Sequence, residues 1–298
     1  MSDKFIHRPV MLDEILSFLK LKKGMVVVDA TIGLGGHAIE IVKRISHSGK
    51  LIGIDRDNES LEKARQRLSE YSSQCEFVYD NFCNIDTILS SLNITCVDGV
   101  ILDLGVSSYQ LESPIRGFSF TNEGPLDMRM DRANSVSAFD LINNLTQSEI
   151  SAILWEFGQE RFSNRIARMI VRKRNDSVIN TTAQLADLIS KALPYSKRHQ
   201  RIHPATRSFQ ALRIAVNHEL ESLEVFLKKI TKFVNKRGRI CIISFHSLED
   251  RIAKVNFRNL AKTQNFKLIV KKPLVPKNEE MRENPRSRSA KLRVLEKL

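Results

Sequence analysis

Val26-Val27-Val28-Asp29-Ala30-Thr31-Ile32-Gly33-Leu34-Gly35-Gly36-His37-Ala38 is the stretch on which the rest of the chain hangs. An apolar run stops at an acid, three glycines follow within four positions, and a helix-forming segment runs from Ala38 to Arg44. The pattern predicts a strand, a tight turn and a helix start. Glycine lets the backbone approach a ligand closely, and a helix N-terminus presents unpaired N–H groups. The segment reads as the floor of a nucleotide-type cofactor site. The spacing Gly33-x-Gly35-Gly36-x-Ala38 only approximates the dinucleotide fingerprint, with alanine in the third glycine slot.

The same rhythm repeats downstream. Lys50-Leu51-Ile52-Gly53-Ile54-Asp55 is a second short apolar strand ending in an acid, and Asp55 lies 20 residues after Gly35. That offset suits a carboxylate accepting hydrogen bonds from a ribose diol. Asp57 is the alternative, and either acid could instead cap the helix expected over Asn58–Leu68. Glu76–Tyr79 reads as a third strand followed by Asp80-Asn81-Phe82, where the aromatic ring is a candidate to stack on a purine. Asp98–Gly105 is a fourth strand with Asp103 at its end. Strands alternating with helices predict a parallel, doubly wound sheet. Ligands bind at the carboxyl ends of such strands, so Asp29, Asp55, Asp80 and Asp103 are expected to converge on one crevice.

Beyond Tyr109 the character changes. A long loop containing Gly117-Phe118-Ser119-Phe120 and Asp127-Met128-Arg129-Met130-Asp131 is followed by helical patterns over Ala138–Asn144, Gln147–Phe157, Phe162–Lys173 and Thr182–Leu193. Thr146 with Glu149 resembles a capping box. No strand signal interrupts this block, so residues 111–213 read as an all-helical domain inserted into a sheet domain made of 1–110 and 214–298. Asp127 and Asp131 read as loop-ordering partners of Arg129 and Arg132 rather than metal ligands. His199 and His203 lie four apart without a further ligand, so no metal site is expected. Arg213–Phe233 is predicted as one helix and Gly238–Phe245 as a fifth strand. Phe266–Val270 and Lys291–Leu295 are two closing strands.

The 298 residues suffice for a sizeable core. No apolar run approaches the roughly 20 residues that span a bilayer. Met1-Ser2-Asp3-Lys4 lacks a signal-peptide pattern, so the cytoplasm is the expected location. None of the four cysteines forms a C-x-x-C pair. The net charge of +13 is unevenly distributed. Residues 1–110 carry 12 Lys/Arg against 15 Asp/Glu, residues 111–215 carry 15 against 10, and residues 216–298 carry 20 against 9. Lys191 to Arg213 holds six basic residues, among them Arg198, Arg201, Arg207 and Arg213, and no acid. Arg286 and Arg288 form a further basic loop. Such a surface attracts polyanions, nucleic acid first among them.

A glycine turn and a diol-binding acid fit a nicotinamide dinucleotide or S-adenosylmethionine. The imperfect glycine spacing, the small-residue loop Asp103-Leu104-Gly105-Val106-Ser107-Ser108 and the closing strand pair favour S-adenosylmethionine. At this point the chain resembles the bacterial small-subunit ribosomal RNA cytosine-N4-methyltransferases, the RsmH or MraW family. The resemblance rests on His7-Arg8-Pro9-Val10-Met11-Leu12-Asp13-Glu14, Asp29–His37, Ile54-Asp55-Arg56-Asp57, Leu102–Ser108, Arg116–Phe120, Pro125–Asp131, His203-Pro204-Ala205-Thr206-Arg207, Ser244–Arg251 and Asn284-Pro285-Arg286. Tyr109 departs from the pattern, in which proline or histidine is expected.

The resemblance implies a Rossmann-like class I S-adenosylmethionine-dependent methyltransferase sheet. It implies cofactor bound through Gly35, Gly36, His37, Asp55, Phe82, Asp103 and Gln110. It also implies methylation of one cytidine of 16S rRNA near the decoding centre, with the small ribosomal subunit as partner and the helical insertion as substrate-binding domain. Candidate RNA contacts are Arg129, Arg132, His203, Arg207, Arg213, Arg286 and Arg288. Candidate acceptors of the amino proton are Asp103 and the Ser107–Ser108 loop. A C5 methylation would need a thiolate, usually from a Pro-Cys pair, and no cysteine here follows a proline. A methyltransferase for a protein or small-molecule acceptor is the alternative, and a non-catalytic RNA-binding protein a third. Nothing in the sequence distinguishes a monomer from a homodimer.

Overall fold

The computed structural model describes residues 9–198, 203–263 and 265–298, with only the backbone of 197 and 198. His7, Arg8, His199, Arg201 and the Arg198 side chain lie outside the described residues. The chain divides into two compact units, one of residues up to Gly105 and from Leu220 onward, the other Val106–Glu219. The expected junctions after 110 and before 214 thus move outward along the chain at both ends of the insertion.

The first unit opens with helix α1 (Leu12–Leu19), then β1 (Val26–Asp29), α2 (Gly36–Ile45), β2 (Lys50–Asp55), α3 (Asn58–Arg67), β3 (Cys75–Tyr79), α4 (Ile85–Ser91) and β4 (Val97–Asp103). In the second unit come α5 (Ser108–Glu112), α6 (Ala138–Asn144), α7 (Gln147–Gly158), α8 (Ser163–Asp176), α9 (Thr182–Ala192), α10 (Tyr195–Arg198) and α11 (Thr206–Asn217). Helix α12 (Glu219–Ile230) leads back, followed by β5 (Val234–Ser244), α13 (Ser247–Thr263), β6 (Phe266–Leu268), α14 (Asn278–Glu283) and β7 (Lys291–Lys297).

The seven strands form one sheet in the order β3-β2-β1-β4-β5-β7-β6. The first five run parallel, and β7 is antiparallel to both β5 and β6. Strands buried on both faces explain the nearly continuous apolar runs Val26-Val27-Val28 and Leu51-Ile52-Gly53-Ile54. Successive residues serve opposite layers. Val28, Ile52 and Ile54 face α4, α12 and α13 through Ile88, Phe226 and Phe257. Val27 and Leu51 face α1, α2 and α3 through Ile15, Ile41 and Leu61. The helical unit has its own core, centred on Met128, Ile142, Leu154, Ile170, Leu185 and Leu212.

Two elements differ from expectation. The helix predicted over Arg213–Phe233 is two helices. His218 takes a left-handed φ of +49° and caps α11, its N–H bonding back to Ile214 and Ala215. Strand β5 begins four residues earlier than predicted, because it contains an irregularity between its pairs Val97↔Val234 and Gly99↔Arg239. Arg237 at φ +65° and Gly238 absorb that bulge.

Candidate cofactor site and basic surface

Three of the four strand-end acids interact. Asp29 is buried, and burial first, then the charge of Asp55, pushes its carboxyl up to about 7 against a backbone hydrogen bond from Thr31. Asp55 is raised to about 6 by burial, although it accepts backbone N–H groups from Gly33 at 2.8 Å and Asp57 at 2.9 Å. Asp103 is raised well above the usual carboxylate range by burial and then by the charges of Asp29, Glu249 and Glu280. Its Oδ1 is shielded from solvent and has no hydrogen-bond partner among the described residues. A carboxylate oxygen in that position carries an unmet demand for a donor. Thr31 ties the acids together, its N–H donating to Asp29 Oδ1 at 3.3 Å and its Oγ1 accepting from the Asp103 N–H at 2.7 Å. Sequence reasoning passed over Thr31, although it stands two residues past a strand-end acid.

Asp80 behaves differently. Its Oδ1 accepts from Asn81 N at 2.6 Å and Asn84 Nδ2 at 2.8 Å, so it orders its own turn. Asp55 and Asp57 play different structural parts. Asp57 caps α3, accepting from Glu59 N, while Asp55 stands at the strand end holding the glycine turn.

The turn itself needs its glycines for two reasons. Gly33 and Gly35 have φ of +52° and +75°, a region that side chains with a Cβ rarely adopt. A Cβ on Gly36 would lie 2.7 Å from Cγ of Pro9, so the first residue of α2 must be bare for the N-terminal segment to pack. Gly35 caps α2 without any side-chain hydrogen bond, leaving first-turn N–H groups without a side-chain partner.

His37, on that first turn, is buried, and burial holds its ring neutral by lowering it to about 4. Its Nε2 lies 3.0 Å from the carbonyl oxygen of Val10. A carbonyl only accepts, so Nε2 carries the proton and Nδ1 is an acceptor. Nδ1 stands 3.9 Å from Asp103 Oδ2. Two acceptors facing each other across that gap call for a donor between them. The sheet unit therefore offers an acceptor pair for a hydrogen-bonding cation and, on the same helix as His37, an N-terminus for an anion.

Phe82 follows β3 in a short 3-10 turn and meets Phe226 edge-on, at 5.5 Å between centroids and 86° between planes. Ser107 and Gln110 lie in the helical unit, at the start of α5. They form a reciprocal capping box, Ser107 Oγ accepting from Gln110 N at 3.2 Å and Gln110 Oε1 from Ser107 N at 3.0 Å. Tyr109 occupies the first turn of α5, where proline is also tolerated, so its departure from the expected residue leaves the backbone intact.

The candidate RNA residues separate into two groups. Arg129 grips Asp127 with Nε and Nη2 at 2.7 and 2.9 Å and donates Nη1 to the carbonyl of Asn134 at 2.7 Å. Arg213 forms a two-pronged pair with Glu219, both contacts at 2.8 Å. These two guanidinium groups each brace the fold through a carboxylate partner. His203 is exposed, but its ring lies 4.5 Å from that of Phe120, which also meets Phe209 edge-on. Phe118 is buried. The aromatic loop thus packs into the helical core. Arg132, Arg207, Arg286 and Arg288 are exposed.

Among the described residues, no helix is long and apolar enough to cross a membrane. The MraW methylase family model matches residues 4–298. The chain is 48% identical to "Ribosomal RNA small subunit methyltransferase H" of Halothermothrix orenii over 307 aligned residues, covering 98% of each chain. It is 47% identical to the protein of that name in Clostridium botulinum, covering 99% of this chain and 100% of the relative. A Geobacter relative of the same name is 46% identical over 99% of this chain and 100% of its own length. The chain belongs to the MraW methylase family and is an S-adenosylmethionine-dependent methyltransferase.

Proposed function

We propose that this enzyme methylates the exocyclic N4 amino group of one cytidine in the 16S rRNA of the small ribosomal subunit, near the decoding centre, in the cytoplasm. The observation that carries the substrate class is end-to-end identity of 46–48% to relatives named for small-subunit ribosomal RNA. The choice of an amino nitrogen over ring carbon C5 draws on the thiols. C5 attack needs a thiolate. Burial raises Cys241 to about 12 and Cys75 to about 11, and raises Cys83 as well. None of these is an activated nucleophile.

S-adenosylmethionine supplies an electrophilic methyl group on a sulfonium. In this reading its amino-acid end lies at the start of α2. Asp103 Oδ1 and Nδ1 of His37 would accept from its ammonium, and the first-turn N–H groups of α2 would hold its carboxylate. Asp55 accepts from the ribose hydroxyls with the lone pairs that Gly33 and Asp57 leave open. The plane of Phe82, fixed by Phe226, meets the purine.

The cytosine amino lone pair is conjugated with its ring, so alignment with the methyl group supplies most of the rate. The target base has to leave its stack to reach that alignment. With Asp103 turned to the cofactor and Ser107 to its helix cap, neither is assigned the amino proton. The methylated amino group is cationic and strongly acidic, so water takes that proton after transfer.

Incubating the enzyme with methyl-labelled S-adenosylmethionine and unmodified small subunits, followed by nucleoside mass spectrometry, tests this. Label in N4-methylcytidine is expected. Label in C5-methylcytidine, in protein, or nowhere contradicts it.

A further inference from the structure

The helical unit carries a row of arginines that no contact described so far employs. From Arg161 to Asn175 the sequence has Arg161, Arg165, Arg168, Arg172, Lys173 and Arg174 and no acid. Arg165, Arg168 and Arg172 lie on α8 at i, i+3 and i+7, within roughly 60° of one another around the axis and spanning about 10 Å. Ile166, Ala167 and Ile170 are buried on the opposite side. All three arginines, and Arg161 in the preceding turn, are exposed. None makes a hydrogen bond or ion pair to any described residue. Arg174 on the same helix is tied down, its Nη1 donating to the Ile142 carbonyl at 2.7 Å. An ordinary solvated helix face relieves like charges with acids three or four residues away. Arg165 and Arg168 have no acid at that spacing, and the one at Arg172, Asp176 at the end of α8, makes no ion pair with it among the described residues; the residue type is the one whose fork matches phosphate two-pronged.

We propose that this arginine ridge grips the phosphodiester backbone of the RNA substrate without reading its sequence. The proposal rests on the rRNA reading above. The ridge holds a neighbouring duplex or strand in register, while base selection belongs to the methyl-transfer site. The chain's single tryptophan sits nearby. Ser151 Oγ on α7 donates to Asn164 Oδ1 at 2.8 Å and contacts Ser163 Oγ at 3.2 Å, at the start of α8. Trp155, one turn further along α7, is 59% exposed.

The test uses the full chain and transcribed 16S rRNA, with affinity read by anisotropy of labelled RNA at several salt concentrations. The variant R165Q/R168Q/R172Q is compared with K20Q/K22Q/K23Q, which removes three exposed charges from the other unit. The ridge variant is expected to bind RNA roughly 10- to 100-fold more weakly at low salt. Its salt slope should be shallower by about 2 to 3. Affinity for S-adenosylmethionine and the melting temperature should hold. R165K/R168K/R172K, which keeps the charge, should recover most of the RNA affinity. A ridge variant that binds RNA no more weakly than the lysine control overturns the proposal. So does a lysine-for-arginine variant that keeps its melting temperature and still binds RNA as weakly as the glutamine variant. Labelled subunits in the wild-type assay alongside unaltered RNA affinity in the ridge variant would sink the ridge and leave the rRNA reading standing. Wild-type RNA binding that depends on the ridge, without any N4-methylcytidine, would do the reverse.

Discussion

The sheet unit and the helical unit use charge in opposite ways. At the strand ends Asp29, Asp55 and Asp103 are gathered where burial and mutual repulsion hold them above the usual carboxylate range. In the helical unit, Arg129 and Arg213 are each locked to a carboxylate, whereas Arg165, Arg168 and Arg172 stand exposed and form no ion pair among the described residues. A cluster short of counter-charge suits a small cationic ligand that enters and is enclosed. A row of exposed cations suits a long polyanion that lies across it. The lesson is that the sign of a region says less than whether its charges are already matched.

The strongest lever on this contrast is pH. Asp29 has a folded-state value of about 7 against an ordinary carboxyl value of 3.8, so the folded state holds the proton more tightly than the unfolded chain. The stability this contributes is fully present below pH 4 and is lost as pH rises through 7. It amounts to about 4 kcal/mol at most. Urea midpoints of the protein without cofactor should therefore fall between pH 5 and 8, and Asp29→Asn should flatten that fall. An unchanged slope in the variant would mean that Asp29 is not the group titrating. Because a cation favours ionised carboxylates, affinity for S-adenosylmethionine should rise over the same interval.

Next in size is the matched pair. Arg213→Ala leaves Glu219 nearly buried and alone, and should cost about 3 kcal/mol in chemical denaturation. If stability holds and RNA affinity collapses instead, Arg213 belongs with the ridge. Asp103→Asn should weaken S-adenosylmethionine roughly 10- to 100-fold by calorimetry, the worth of a hydrogen bond to a charged group. Its RNA affinity should stay intact. The smallest effect is expected at Thr146, which caps α7 in a reciprocal box with Glu149. Thr146→Ala should lower stability by about 1 kcal/mol and leave both ligands' affinities alone; a change in either affinity would show that α7 does more than support its neighbour.

What could be read from the sequence was local. The glycine turn, the strand-end acids and the Thr146–Glu149 box each sit within a few residues and follow from backbone geometry. What could not be read depended on contacts between distant residues or on one backbone angle. The apolar pattern continues across His218, so nothing in it signals the left-handed residue that splits α11 from α12. Glu219 lies six residues from Arg213, outside the helical pair spacing, so the pairing that removes Arg213 from the free basic surface was invisible. The orphaned Oδ1 of Asp103 depends on which groups surround it after folding. The arginine spacing on α8 was present in the sequence, but its meaning required knowing that Arg165, Arg168 and Arg172 form no ion pair among the described residues.

The division of labour can be tested in a single crossed binding measurement, in which Asp103→Asn and R165Q/R168Q/R172Q are each titrated with S-adenosylmethionine and with 16S rRNA. Losses should be orthogonal, the first variant losing the cofactor and keeping RNA, the second losing RNA and keeping the cofactor. Both variants losing the same ligand, or each losing the other's, would contradict it.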